Sequence, residues 1–324
     1  MTKKTRNSHG IQSRVTKRTP LKILLFGCNG QVGWELQRAL APLGSVTALS
    51  RQGSGDLSGD LADPDSLATT VKTVAPDIIV NAAAYTAVDQ AESEPEQARV
   101  INAEAPARLA REAKRIGAWL VHYSTDYVFD GSGTYPWRED DSPEPINVYG
   151  RTKLDGEEAI RQSDCFHLIF RTSWVYAARG KNFIHTMLRL AAEGESLKVV
   201  DDQFGAPTGA EFIADVSVHA IKAVQGNSSL CGTYHLTPRG ETSWYEYASL
   251  IIQEAARRGM EMKTTQESII PVPSEEFPTA AARPKNSKLD NTLLQKTFGL
   301  HIPSWEKCVM RTVKGILRCD YGIY

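Results

Sequence analysis

Nowhere does the 324-residue chain hold an apolar run near the roughly 18–20 residues that span a bilayer, and no signal-type apolar segment follows its first methionine. A membrane protein is therefore not expected. Cysteine is sparse: Cys28, Cys165, Cys231, Cys308 and Cys319 are scattered, odd in number and free of CxxC spacing. That excludes a disulfide framework and a zinc site and suits reduced thiols. An excess of either charge is missing too, since 37 Lys and Arg against 38 Asp and Glu leave a net charge of −1. Nothing global calls for nucleic acid as a partner. The seven histidines show no ligand spacing, and no internal repeat is found. With 41% hydrophobic and 23% charged residues, what remains is a globular chain of one large or two modest domains. A cytoplasmic enzyme is the expectation.

Residues 1–20 carry Lys3, Lys4, Arg6, Arg14, Lys17 and Arg18 without an acidic residue or a hydrophobic period. They read as a disordered basic extension outside the fold. From Leu21 the pattern changes. Leu21–Phe26 is an apolar run suited to a buried parallel strand, and Gln31–Leu40 has helical spacing through Val32, Leu36 and Leu40. Further strands are expected at 45–50, in "DIIVNAAA", in "AWLVHYST" and in "FHLIFRTS". Helices are expected after Asp63 as N-cap with Pro64 following, over 95–116 as one long helix, and over about 149–161. Past Trp174 the pattern loosens, with helices at 182–193 and around 244–258 and a proline-rich stretch beyond. Strands alternating with helices predict an α/β protein, a Rossmann-type doubly wound, mostly parallel sheet with a smaller C-terminal substrate-binding lobe. The division expected is 21–173 for the dinucleotide-binding part and 174–324 mainly for the lobe, some later segments returning to the sheet.

The first βα turn reads Gly27-x-x-Gly30-x-x-Gly33, with Asn29, Gln31 and Val32 among the same residues. Such glycines allow a tight turn and close approach of backbone N–H groups to a pyrophosphate at a helix N-terminus. The second strand ends at Ser50-Arg51, where a cation rather than a ribose-binding acid favours NADPH, with NADH as the alternative and a solvated arginine as the bland one. Asp60 and Leu61 follow a loop and could cover the adenine. Ala82, Ala83, Ala84 and Tyr85, in "NAAAYT", are mostly small enough to let a cofactor lie against the sheet edge. The fourth strand ends at Ser124, Thr125 and Asp126, beyond which ligands of doubly wound sheets bind. Tyr149 and Lys153 lie one helical turn apart, which suits acid–base chemistry as well as a solvated pair.

Taken together, the glycine turn, "NAAAYT", "STDYVF" and Tyr-x-x-x-Lys resemble the extended short-chain dehydrogenase/reductases. "GQVGWEL", "AYTAVDQAE", "STDYVFDG", "VYGRTKLDGE", "FRTSWVYA", "DDQFGAPTGAE" and "ARPKNSKLD" narrow the resemblance to the dTDP-4-dehydrorhamnose reductase family, from about Leu21 to beyond Trp305. The resemblance implies NAD(P)H-dependent reduction of a dTDP-linked 4-keto-6-deoxy sugar, the last step of dTDP-L-rhamnose synthesis. It implies Tyr149 as general acid, Lys153 lowering its pKa and holding the nicotinamide ribose, and Thr125 on the substrate oxygen. It puts Thr86, Val88, Asp126, Trp174 and the loop from Gln203 to Thr208 around the sugar nucleotide, and Arg283 is a candidate for its phosphates. Trp174 as core packing and Arg283 as a surface arginine are the plain alternatives. Related dehydratases use an Asp-Glu pair where this chain has Asp126-Tyr127, which argues against dehydration. Several family members are magnesium-dependent dimers. Glu35 and Glu193 match two of their carboxylates while the third falls near Gly315, so both a monomer and a homodimer stay open. Two other readings are carried: reduction of another nucleotide-linked 4-keto sugar, and a non-catalytic dinucleotide-binding subunit like the partner of methionine adenosyltransferase.

Overall fold

The computed structural model describes residues 20–320. The extension expected at the N-terminus lies, but for Pro20, outside the described residues. Elements named here are strands β1 (Leu21–Phe26), β2 (Gly44–Leu49), β3 (Ile78–Asn81), β4 (Trp119–Thr125), β5 (His167–Thr172), β6 (Leu197–Val200), β7 (Gly232–His235) and β8 (Ile269–Val272). The helices named are α1 (Gln31–Leu40), α2 (Pro64–Val74), α3 (Ala105–Ile116), α4 (Val148–Gln162), α5 (Phe183–Glu193), α6 (Ala210–Val224), α7 (Trp244–Arg257), α8 (Thr292–Phe298) and α9 (Trp305–Asp320).

Six strands form a parallel sheet in the order β7-β5-β4-β3-β1-β2. The apolar run of β1 has a simple cause, because both of its faces are covered. Ile23 and Leu25 point into one cluster, with α1, α6 and α8. Leu24 and Phe26 point into another, with α2 and α3. The strand at Gly232–His235, far along the chain, returns to pair with β5. A third apolar cluster joins α5, α7 and α9 to β6 and β8, a two-stranded parallel pair apart from the main sheet.

Two local features differ from, or refine, the pattern in the sequence. Asp63 does cap α2, accepting from the Ser66 N–H at 3.1 Å. The long helix expected over 95–116 is broken in register by a π-helical turn at Val100–Glu104, between Pro95–Arg99 and α3. Pro106 explains it: proline has no N–H for the carbonyl four residues back, Asn102, and its ring crowds that carbonyl. The Asn102 side chain in turn bonds Tyr85 through its N–H at 2.9 Å and its carbonyl at 3.0 Å, and reaches Thr152 on α4 at 3.2 Å. The irregular turn thus ties the end of β3 to α4, two walls of the site below.

Candidate active site

The chain reverses its direction of winding between β1 and β3, so a crevice opens beyond their carboxyl ends. Gly27 sits there with φ +82°, its N–H bonded to the Leu49 carbonyl at 2.9 Å. A Cβ on Gly27 would lie 2.7 Å from the Ala83 nitrogen, and one on Gly33 2.0 Å from the Gly27 carbonyl oxygen. Gly30 caps α1 with no side-chain hydrogen bond, leaving first-turn N–H groups for an anion. This backbone fits a dinucleotide's pyrophosphate. Asn29 and Gly30 are exposed on the turn. Gln31 accepts from Asn182 at 3.1 Å, linking the turn to the cap of α5.

Arg51 is exposed beyond β2, but its guanidinium is paired with Asp60 at 3.4 Å, the residue expected near the adenine. Leu61 is 4% exposed and packs in the core with Leu24 and Phe26, so only its backbone can face a cofactor. Glu35 and Glu193 are held by arginines of their own helices, Arg38 at 3.5 Å and Arg189 at 2.8 Å. Among the described residues no group of three or more His, Cys, Asp or Glu could hold a metal.

The opening of α4 is set by Asn147, whose carbonyl oxygen accepts from the Gly150 N–H at 2.7 Å and whose amide donates to Ala282 at 2.8 Å. Gly150 and Gly156 let the helix close in, since a Cβ on either would sit 2.0 Å and 2.2 Å from backbone oxygens of Tyr127 and Asn102. Tyr149 is thereby half-buried, edge-on to Tyr127 with centroids 5.7 Å apart. Burial pushes its phenol above the ordinary value, while the neighbouring Thr125 hydroxyl opposes the shift. Thr125 donates to Asp126 Oδ1 at 3.0 Å. Burial raises the Asp126 carboxyl to about 6, with Ser287 and Thr125 only partly offsetting it.

Lys153 is 2% exposed, and the charges that act on the Tyr149 phenol in this structure, Asp126 and Tyr127, both push it upward. The Lys153 ammonium donates to the Tyr123 carbonyl at 2.6 Å and lies 3.2 Å from His122 Nε2. Burial lowers it to about 8, against the opposing charge of Glu157. The hydrogen bonds behind the catalytic face, not spacing alone, decide where that nitrogen points.

A cavity of about 550 Å³ runs from Tyr127 to the C-terminal half, lined among others by Phe183, Gln203, Trp244, Lys198 and Arg283. A second cleft, of about 500 Å³ beside Leu21, Asp77 and Trp119, opens at the opposite strand ends, the wrong side for ligands of this sheet. Arg283 is no free surface residue, for it is ion-paired with Asp89 at 2.6 Å and stands over the Tyr127 ring at 6.0 Å. Thr86 is exposed and Val88 half-buried, opening the short helix that carries Asp89.

Trp174 has φ +48°, rare for a bulky side chain, and its ring stacks on Trp244 with centroids 3.7 Å apart. A Cβ on Gly205 would lie 2.7 Å from that indole. Gly205 belongs to the loop expected near the sugar nucleotide, while Trp244 and Phe183 are contributors that sequence reasoning missed, since only the pairing of distant segments brings them together. Gly205→Ala is expected to push the Trp174 ring off Trp244 and raise the sugar-nucleotide KM on the order of tenfold, with kcat falling less. Steady-state kinetics beside tryptophan fluorescence would check it; unchanged KM with altered fluorescence would remove Trp174 from the substrate.

A model of the family described as RmlD substrate binding domain matches residues 21–317. The dTDP-4-dehydrorhamnose reductase of Escherichia coli (strain K12) is 52% identical over 291 residues, covering 90% of this chain and 96% of that one. The Burkholderia thailandensis protein of the same name is 46% identical, covering 92% and 99%. A solved dTDP-4-dehydrorhamnose reductase from Bacillus anthracis, in complex with NADP, superposes with a TM-score of 0.82 at 36% identity, covering 92% and 100%. A Bordetella bronchiseptica enzyme in complex with NAD, at 18% identity and TM-score 0.74, shares the fold alone.

Proposed function

We infer the activity from one premise: the chain belongs to the RmlD substrate binding domain family, matched over residues 21–317. It is an NAD(P)H-dependent oxidoreductase that reduces the C4 ketone of dTDP-4-dehydro-β-L-rhamnose to dTDP-β-L-rhamnose, in dTDP-rhamnose biosynthesis. The observation that carries this is 52% identity to a reductase of that name across 90% of the chain. It also favours the reductase over the non-catalytic subunit.

The roles of individual side chains are our proposal. The glycine turn and Ala82–Tyr85 would hold a reduced nicotinamide cofactor, which would supply the hydride when bound. Tyr149 gives a proton to the oxygen that becomes an alkoxide, and Thr125 orients that oxygen by hydrogen bonding. Lys153 balances charge on the phenol and reaches the nicotinamide ribose. Trp174, braced by Trp244, covers the apolar face of the 6-deoxy sugar. Asp126, Gln203, Thr86 and Val88 flank the sugar nucleotide, whose phosphates approach Arg283. That arginine must then share its charge with Asp89. We place the working division near residue 173, with α6 and β7 returning to the sheet.

NADPH is the preferred donor in this reading. Arg51 is exposed, and its link to Asp60 is an exposed ion pair, of a kind worth about 1 kcal/mol or less, which a ribose 2′-phosphate can displace. The test follows cofactor absorbance while dTDP-4-keto-6-deoxy sugar is generated in situ, with NADPH and with NADH. Rapid oxidation with a lower KM for NADPH is expected. Tight cofactor binding without turnover would sink the reductase assignment, and an equal KM for both would sink the role of Arg51.

A further inference from the structure

On the reading just given, with Lys153 serving the proton donor, the buried groups behind the lysine acquire a task. Asn81 and His122 lie opposite each other on neighbouring strands β3 and β4, and each is 1% exposed. The Asn81 amide is oriented by its oxygen, which accepts from the Ala83 N–H at 3.2 Å. Its NH₂ therefore faces His122, with Nδ2 3.2 Å from Nδ1. An amide NH₂ can only donate, so Nδ1 must accept, and a neutral imidazole then carries its proton on Nε2. Burial, and next the charge of Lys153, hold this ring neutral.

That Nε2 lies 3.2 Å from Lys153 Nζ. An ammonium has three hydrogens and no lone pair, so it meets Nε2–H with hydrogen against hydrogen. An amine has the lone pair that Nε2–H needs, and keeps two hydrogens, one of them for the Tyr123 carbonyl at 2.6 Å. We propose that Asn81 and His122 are positioning residues: Asn81 fixes the imidazole tautomer, and His122 Nε2–H favours the amine form of Lys153 and fixes its direction.

The other groups facing the lysine can be named. From its own helix come Tyr149 one turn before and Glu157 one turn after. From β4 come His122 and the Tyr123 carbonyl, and from β5 Arg171 acts through Glu157. The Tyr123 carbonyl and Glu157 favour the ammonium, but the Glu157 carboxylate is already engaged by Arg171 at 2.7 Å and Arg161 at 3.0 Å. Burial works in the same direction as His122, to about 8. A lysine poised there can both give a proton toward a developing phenolate and regain one, at the cost of losing its charge at mildly alkaline pH.

His122→Gln offers an amide oxygen that can accept from the ammonium. Asn81→Asp offers a carboxylate that accepts from Nδ1–H and turns Nε2 into an acceptor. In either variant the alkaline limb of the kcat profile is expected to move up by about one pH unit or more. The titration of Lys153 in the cofactor-free protein, followed by NMR of ¹³C-labelled lysine, should move with it. Folded variants whose limb and lysine titration match wild type would overturn the proposal and leave the pair as packing. Should one variant not fold, the other decides. If wild type fails to reduce the sugar, the NMR titration still tests these two residues while the reductase reading falls separately.

Discussion

Tyr149→Phe is expected to lower kcat by roughly three orders of magnitude while leaving NADPH affinity within about twofold. Phenylalanine keeps the ring that packs edge-on against Tyr127, so the variant subtracts only the hydroxyl. The chain's burial of that hydroxyl raises its pKa, and the phenol is accordingly protonated at neutral pH. For a reduction this is the useful state, since the developing alkoxide needs a donor rather than a base. The rival donor is Asp126, raised by burial to about 6 and bonded to Thr125 at 3.0 Å. The two are told apart by single-turnover cofactor oxidation. A drop of less than about tenfold in Tyr149→Phe would move the acid role to Asp126, with activity then falling as pH rises through that value.

How far the sequence reaches is clear from particular residues. The glycine turn, the β1 run and the Asp63 cap follow local rules, because the same few residues both make the feature and reveal it. The placement of Thr125 against Tyr149 also follows, once strand ends and helix starts are known to share one edge of the sheet. Features made by distant segments were not legible. The stack of Trp174 on Trp244 needs the contact of Gly205 with the indole, and no periodicity signals a meeting of residues so far apart. The π-turn was hidden because Pro106 in a helical pattern announces a disturbance but not its form. The direction of the Lys153 nitrogen is not legible for the same reason. Spacing along α4 puts it near Tyr149, while hydrogen bonds to β4 decide where it points.

Glu157→Ala is expected to destabilise the fold by about 3–5 kcal/mol, the usual cost of breaking a buried ion pair from one side. Glu157 is fully buried, and its carboxylate takes Arg171 Nε at 3.0 Å and Nη2 at 2.7 Å, with Arg161 at 3.0 Å. Arg171 is 2% exposed, and its Nη1 is buried without a hydrogen-bond partner. Removing the acid strands a guanidinium between β5 and α4, over the Phe129 ring at 5.1 Å. The neighbouring His235 supplies no negative charge in its place: burial first and the Arg171 charge next push it down to about 3, so it stays neutral. Replacing both partners, as Glu157→Leu with Arg171→Met, is expected to recover most of the loss, because no charge is then left buried alone. The pH dependence carries its own sign. Burial raises the Glu157 carboxyl, yet Arg171, Ser124 and Arg161 together outweigh it and leave the group below its ordinary 4.5. Its contribution is therefore present above that value and lost as pH falls through the lower folded one, so wild type should lose its lead over the double variant in acid. Thermal melts at neutral and acidic pH measure both effects. A single variant as stable as wild type would mean water reaches Arg171, and the pair would then be no brace for the helix that carries Tyr149 and Lys153.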